Sequence, residues 1–114
     1  MNTIKEITGA LTAFRDERNW KQFHNPKDLA LALSIEAAEL NELFLWKTGE
    51  AEWKEIPRDK IREELADVLA FAFLLAEKYN MDIKEIVLDK IKQNALKYPV
   101  SKSYNNATKY NRLQ

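Results

Sequence analysis

Apolar side chains recur at helical spacing along four stretches of this 114-residue chain. Ile4, Ile7, Leu11 and Phe14 predict a first helix that starts at Thr3, where Thr3 and Glu6 have the spacing of a capping box, and that ends near Arg18. Asn25 before Pro26 reads as an N-cap with proline at the first helical position, and the second pattern runs from there to Thr48, with Gly49 as the stop. The charged stretch from Glu50 to Ile56 reads as a loop. Pro57 then opens a third helix carrying Ile61, Leu65, Val68, Ala72 and Leu75, which runs to about Tyr79. After a break at Asn80, Asp82 and Glu85 repeat the capping-box spacing ahead of a fourth helix bearing Ile83, Ile86, Val87, Ile91, Asn94 and Tyr98 and ended by Pro99. No stretch alternates as a strand would. The expected fold class is all-α, a four-helix bundle-like domain: residues 1–99 helical, and residues 100–114 a polar, basic tail of the same domain that orders only against another surface.

Composition narrows the chemistry. The chain is 46% hydrophobic and 32% charged with only 2 Gly and 3 Pro, which excludes a disordered chain and a turn-rich β-sandwich. Its 18 basic and 18 acidic residues cancel, which argues against a nucleic-acid polymer or an anionic membrane as partner. There is no cysteine, and so no disulfide, thiolate zinc site, iron–sulfur cluster or cysteine nucleophile. The first residues lack the apolar core of a signal peptide, and the longest apolar run, Val68 to Ala76, is far short of the ~20 residues that span a bilayer. A soluble, cytoplasmic protein is expected. The neutrality conceals a gradient: Ser34 to Asp67 holds ten acidic and five basic residues, and Ile86 to Gln114 one acidic and six basic. These regions are either independent solvated faces or two halves of a site for a metal-bound polyanion.

Two helices carry carboxylates among apolar positions. Leu29, Leu33, Leu40 and Leu43 form one stripe of the second helix; Glu36 falls within it, and Glu39 lies one turn on. The third helix is apolar on all sides from Leu65 to Ala76 except at Asp67, with Glu64 one turn before, and a helix apolar all round is expected to be buried. Four carboxylates aimed into one core need cations or protons, because an unpaired buried charge costs several kcal/mol. Two such turns on facing helices gather up to eight oxygens, the donor set that hard cations such as Mg²⁺ or Mn²⁺ prefer. The alternative is that the acids sit at the rim and pair with Arg58, Lys60 and Arg62. A di-iron bundle requires histidine in the same turns, and the only histidine, His24, precedes the second helix.

The words Glu36-Ala-Ala-Glu39 and Glu64-Leu-Ala-Asp67 resemble the ExxE and ExxD signature of the MazG-like all-α nucleoside triphosphate pyrophosphohydrolases. The flanking words Arg18 to Pro26, Glu42 to Lys47 and Lys90 to Pro99 are similar to those of the dCTP pyrophosphatase branch, and the tail from Tyr98 to Tyr110 to that of small bacterial members. The resemblance implies Mg²⁺, with Mn²⁺ an alternative, held by Glu36, Glu39, Glu64 and Asp67, which are also the catalytic residues. It implies hydrolysis of a nucleoside triphosphate, dCTP or a modified dCTP, to the monophosphate and pyrophosphate. One carboxylate of the four serves as base, and Glu63 is either an outer helper or a surface glutamate.

The substrate-binding residues that the resemblance implies are Trp20, His24, Trp46, Lys90, Asn94 and Lys97. Lys90, Asn94 and Lys97 share one helix face and can present two ammonium groups and an amide; the ordinary alternative is a solvated face. Lys102 and Lys109 extend the basic end. Trp20 and Trp46 can stack on a base, although aromatics at helix ends are commonly core or interface residues. His24 can contact the base or a phosphate, or simply cap a helix. In two places the chain departs from the pattern. Phe71 stands where the animal enzymes have tyrosine, and Ser103-Tyr104-Asn105-Asn106 where small bacterial relatives tend to have glycine. A catalytically idle nucleotide- or protein-binding module is the competing reading, and phosphoribosyl-ATP pyrophosphohydrolase is the competing enzyme. A small helical domain with one acidic face leaves apolar surface uncovered, so a homo-oligomer is expected, a tetramer before a dimer.

Overall fold

The computed structural model describes residues 2–113, and among them every regular element is helical. Six α-helices follow in chain order: α1 (Thr3–Glu17), α2 (Pro26–Glu42), α3 (Glu50–Lys54), α4 (Arg58–Lys78), α5 (Ile83–Lys97) and α6 (Val100–Ser103), with 3-10 turns at Lys21–Phe23 and Tyr110–Arg112. The chain divides into two compact units, Met1–Asn80 and Met81–Gln114. No helix among the described residues is long and apolar enough to cross a membrane.

In the first unit α4 packs along α2 and, less extensively, against α1. Leu29 of α2 is its anchor at 2% exposure, joined in the core by Ile56, Leu74 and Ala76. Each helix starts for a local reason. Asn25 Oδ1 accepts from the Asp28 amide at 2.9 Å with Pro26 in the first turn, which opens α2 as its sequence predicts. At α1 the cap is Asn2, not Thr3: its Oδ1 accepts from the amides of Ile4 at 3.1 Å and Lys5 at 3.2 Å, so Thr3 is already helical. Helices α1 and α4 end through Asn19 and Asn80, which take left-handed φ of 54° and 53° in the position where glycine is commonest.

The expected second helix to Thr48 is too long. Helix α2 stops at Glu42, the next amides reach back only three residues, from Leu43 to Leu40, Phe44 to Asn41 and Leu45 to Glu42, and Trp46 then turns the chain at φ 63°. Gly49 is the N-cap of the short helix α3, in a stretch expected to be a loop. Nor is α4 covered on all sides. Leu65 and Leu69, the latter 50% exposed, face outward because α1 and α2 cover only part of its circumference.

In the second unit Asp82 Oδ1 accepts from the Glu85 amide at 2.9 Å, which starts α5 where the capping box predicts. The tail, expected to order only against another surface, forms α6 and a 3-10 turn. Pro99 ends α5 and caps α6, and Tyr110 packs edge-on against Tyr98 with ring centroids 6.0 Å apart while Lys97 Nζ lies 4.9 Å from the Tyr110 ring centre.

Candidate active site

The packed faces of α2 and α4 bring acids together. Glu36, Glu64 and Asp67 each offer one carboxylate oxygen, and these oxygens lie within 4.8 Å of one another. Glu39, one turn after Glu36, stands beside this trio and acts on both glutamates through hydrogen bonding and charge. The i, i+3 spacing within each helix sets two acids on one flank, and the α2–α4 contact sets the flanks face to face.

The electrostatics follow from that crowding. Glu36 is pushed up to about 7, first by burial, then by a hydrogen bond shared with Glu39, then by the charges of Glu39, Asp67 and Glu64. Glu64 is raised too, by burial first and by Glu39 and Asp67 after it. No arginine or lysine forms an ion pair with these carboxylates among the described residues, so pairing with Arg58, Lys60 and Arg62 is not what the structure contains. One oxygen each of Glu36 and Glu64, both Oε2, is buried without a hydrogen-bond partner. Buried orphan oxygens converging from two helices fit a hard divalent cation in number, charge and donor type.

A cavity of about 300 Å³ adjoins the cluster, with Asp67 in its wall. Its other walls come from α1, the turn before α2 and the middle of α4: Leu11, Phe14, Arg15, Trp20, His24, Phe71 and Leu74 are among them. Trp20, 43% exposed, meets Phe14 edge-on at 5.8 Å between centroids. The Nδ1 atom of His24 is buried and unpartnered, and burial followed by the charge of Arg15 lowers the basicity of the ring. Phe71 presents an apolar ring in this wall.

The other residues singled out above are each described on their own element. Trp46 is 87% exposed on the turn after α2 and takes no part in this cavity. Lys90, Asn94 and Lys97 are exposed on one face of α5, in the second unit. Sequence reading missed Arg15, a buried arginine whose Nε donates to Asp16 Oδ1 at 2.9 Å and whose Nη1 donates to Glu77 Oε2 at 3.0 Å. Its signal was the i+4 spacing from Leu11, which sets a cation on the apolar stripe of α1.

Comparison with known proteins agrees with this architecture. dCTP pyrophosphatase 1 of Rattus norvegicus is 39% identical over 115 residues, which is 97% of this chain and 68% of the rat protein. The Homo sapiens protein of the same name is 38% identical over the same span and shares. The crystal structure of a pyrophosphatase from Archaeoglobus fulgidus superposes with a TM-score of 0.82 at 36% identity, covering 87% of this chain and 94% of that one. With the MazG-like family pattern matched over residues 31–113, from the middle of α2 to the end of the described tail, the chain belongs to the MazG-like family.

Proposed function

We propose that this chain is a divalent-cation-dependent nucleoside triphosphate pyrophosphatase, and that dCTP or a 5-substituted dCTP is its substrate. The observation that carries the reading is the pair of buried, unpartnered glutamate oxygens in an acid cluster that shares Asp67 with a cavity walled by aromatics. The residues that would hold the cation, Mg²⁺ first and Mn²⁺ second, are Glu36, Glu64 and Asp67 with Glu39 beside them; when bound it neutralises phosphate oxygens and acidifies water. The cavity wall of Trp20, His24 and Phe71 orients the nucleoside so that its α-phosphate lies at the carboxylate end. A carboxylate of the quartet accepts the proton of the attacking water, the water oxygen bonds to the α-phosphorus, and the bridging bond to the β-phosphate breaks. Pyrophosphate leaves with that electron pair, and the nucleotide product is the monophosphate.

Turnover in heavy-oxygen water tests the bond. The label is expected in the nucleoside monophosphate, whereas orthophosphate together with a nucleoside diphosphate would overturn the assignment. The names of the curated relatives and the intact acid quartet support an enzyme over an idle binding module.

A further inference from the structure

We propose that Arg15 reads the base: its guanidinium donates to the acceptors on the pairing edge of cytosine and makes the cavity selective for cytosine over uracil. This rests on the pyrophosphatase reading above and adds a residue that selects among its substrates. The cavity is close to the lower limit of ligand-sized pockets at about 300 Å³, and five of its nine lining residues are leucine, phenylalanine or alanine, which hold any base without telling one from another. Apart from Asp67 at the carboxylate end, three lining side chains carry hydrogen-bonding groups: Trp20, whose indole only donates, and Arg15 and His24.

Arg15 is built for the task in a way that a surface arginine is not. Its side chain is 6% exposed, and two bonds fix the plane of the fork, Nε to Asp16 and Nη1 to Glu77. Nη2 forms no hydrogen bond among the described residues, so the clamped fork keeps donors in reserve. The two carboxylates also offset the charge, so what remains for a neutral base is directional donation rather than a bare cation. His24 supplies the opposite sense: its buried Nδ1 has no partner, and with the proton on Nε2 the lone pair of Nδ1 is free to accept.

A donor beside an acceptor is the complement of cytosine, whose ring N3 and O2 accept and whose exocyclic amine donates. Uracil reverses two of the three positions, with N3–H against the guanidinium and a carbonyl against the imidazole lone pair. Because a buried donor left unpaired costs more than a weak bond gains, the wrong base is rejected rather than merely bound less well.

The test uses the full chain with saturating Mg²⁺ and compares dCTP, dUTP and 3-deaza-dCTP, which lacks the N3 acceptor. For the unaltered protein kcat/KM is expected to fall about ten-fold or more from dCTP to either analogue. In Arg15→Met, and in Arg15→Lys, which keeps a cation beside Glu77 but gives up the planar fork, the three substrates are expected to converge. The convergence should come through KM for dCTP, with kcat within about two-fold. Equal losses on all three substrates would mean that Arg15 only braces α1 against α4, and would overturn the proposal. If neither variant folds, the unaltered protein decides: equal kcat/KM for dCTP and 3-deaza-dCTP overturns it, and a ten-fold gap supports it. Should no triphosphate release pyrophosphate at all, the pyrophosphatase reading fails and takes this one with it, an outcome distinct from turnover without discrimination.

Discussion

Glu36 is a carboxyl group whose surroundings favour its proton, and the consequence for stability has a definite sign. Its value in the folded chain is about 7 against an ordinary 4.5. Below both values folded and unfolded chains are protonated alike, and the site imposes no electrostatic penalty. As pH rises through the lower value the unfolded chain releases its proton first, so the native state loses ground until about pH 7, above which the full penalty applies. The melting temperature of the metal-free protein, measured in EDTA, is therefore expected to fall between about pH 5 and about pH 8. Glu36→Gln should flatten that slope and raise the melting temperature at the alkaline end. With substrate and Mg²⁺, the same change, or Glu64→Gln or Asp67→Asn, is expected to lower kcat by about 100-fold or more and to abolish the thermal stabilisation that Mg²⁺ gives the parent. Wild-type turnover in all three variants would refute the metal site. Trp20→Ala, at a half-exposed ring in the cavity wall, should raise KM about ten-fold with a small change in melting temperature, since stacking on a base is worth roughly 1 to 3 kcal/mol.

Among the elements, α2 is the one whose loss dissolves the site, because Glu36 and Glu39 are placed by its packing on α4. Leu29→Ala, at the most buried side chain, is expected to cost about 2 to 5 kcal/mol, and Asn25→Ala, which removes the cap, about 1 kcal/mol, both measurable by urea titration. The starts of the helices were legible because they depend on short-range chemistry: Asn25-Pro26 and Asp82 with Glu85 cap as their spacing predicts. The end of α2 was not legible, because no glycine or proline stands between Glu42 and Thr48; the chain turns on Trp46, a residue with no preference for a left-handed backbone. Helix α3 and the ordered tail were missed for the converse reason, since charge and polarity in Glu50–Lys54 and in Val100–Ser103 masked one-turn helices begun by Gly49 and Pro99. The acid cluster was legible in its residues, as four carboxylates at helical spacing. Its pocket was not, since Arg15, Phe71 and Leu74 converge from α1 and α4 through tertiary packing that no local pattern encodes.

For the molecule as a whole, neither unit covers its own apolar side chains. Leu31, Ile35 and Leu69 stand exposed in the first, and Val87, Ile91 and Leu96 in the second. Side chains of this kind, on helices rimmed by charged residues, suit association of identical chains, and we propose a homo-oligomer, a tetramer before a dimer. Sedimentation equilibrium is expected to give a mass near four times the 13.3 kDa chain, and a concentration-independent monomer would overturn this. The zero formal charge favours such association, because no long-range repulsion keeps the copies apart.

Trp46 stands apart from the fold that carries it. A large side chain at φ 63°, with 87% of its surface in water, holds a backbone conformation that costs on the order of 1 kcal/mol and buries almost nothing in return. Asparagine occupies the three other left-handed positions of the described chain. Under selection for folding alone, position 46 should therefore drift to asparagine or glycine within few generations of mutagenesis. Under selection for association of identical chains the indole should persist, and the contrast between those two populations measures what this residue contributes that stability does not.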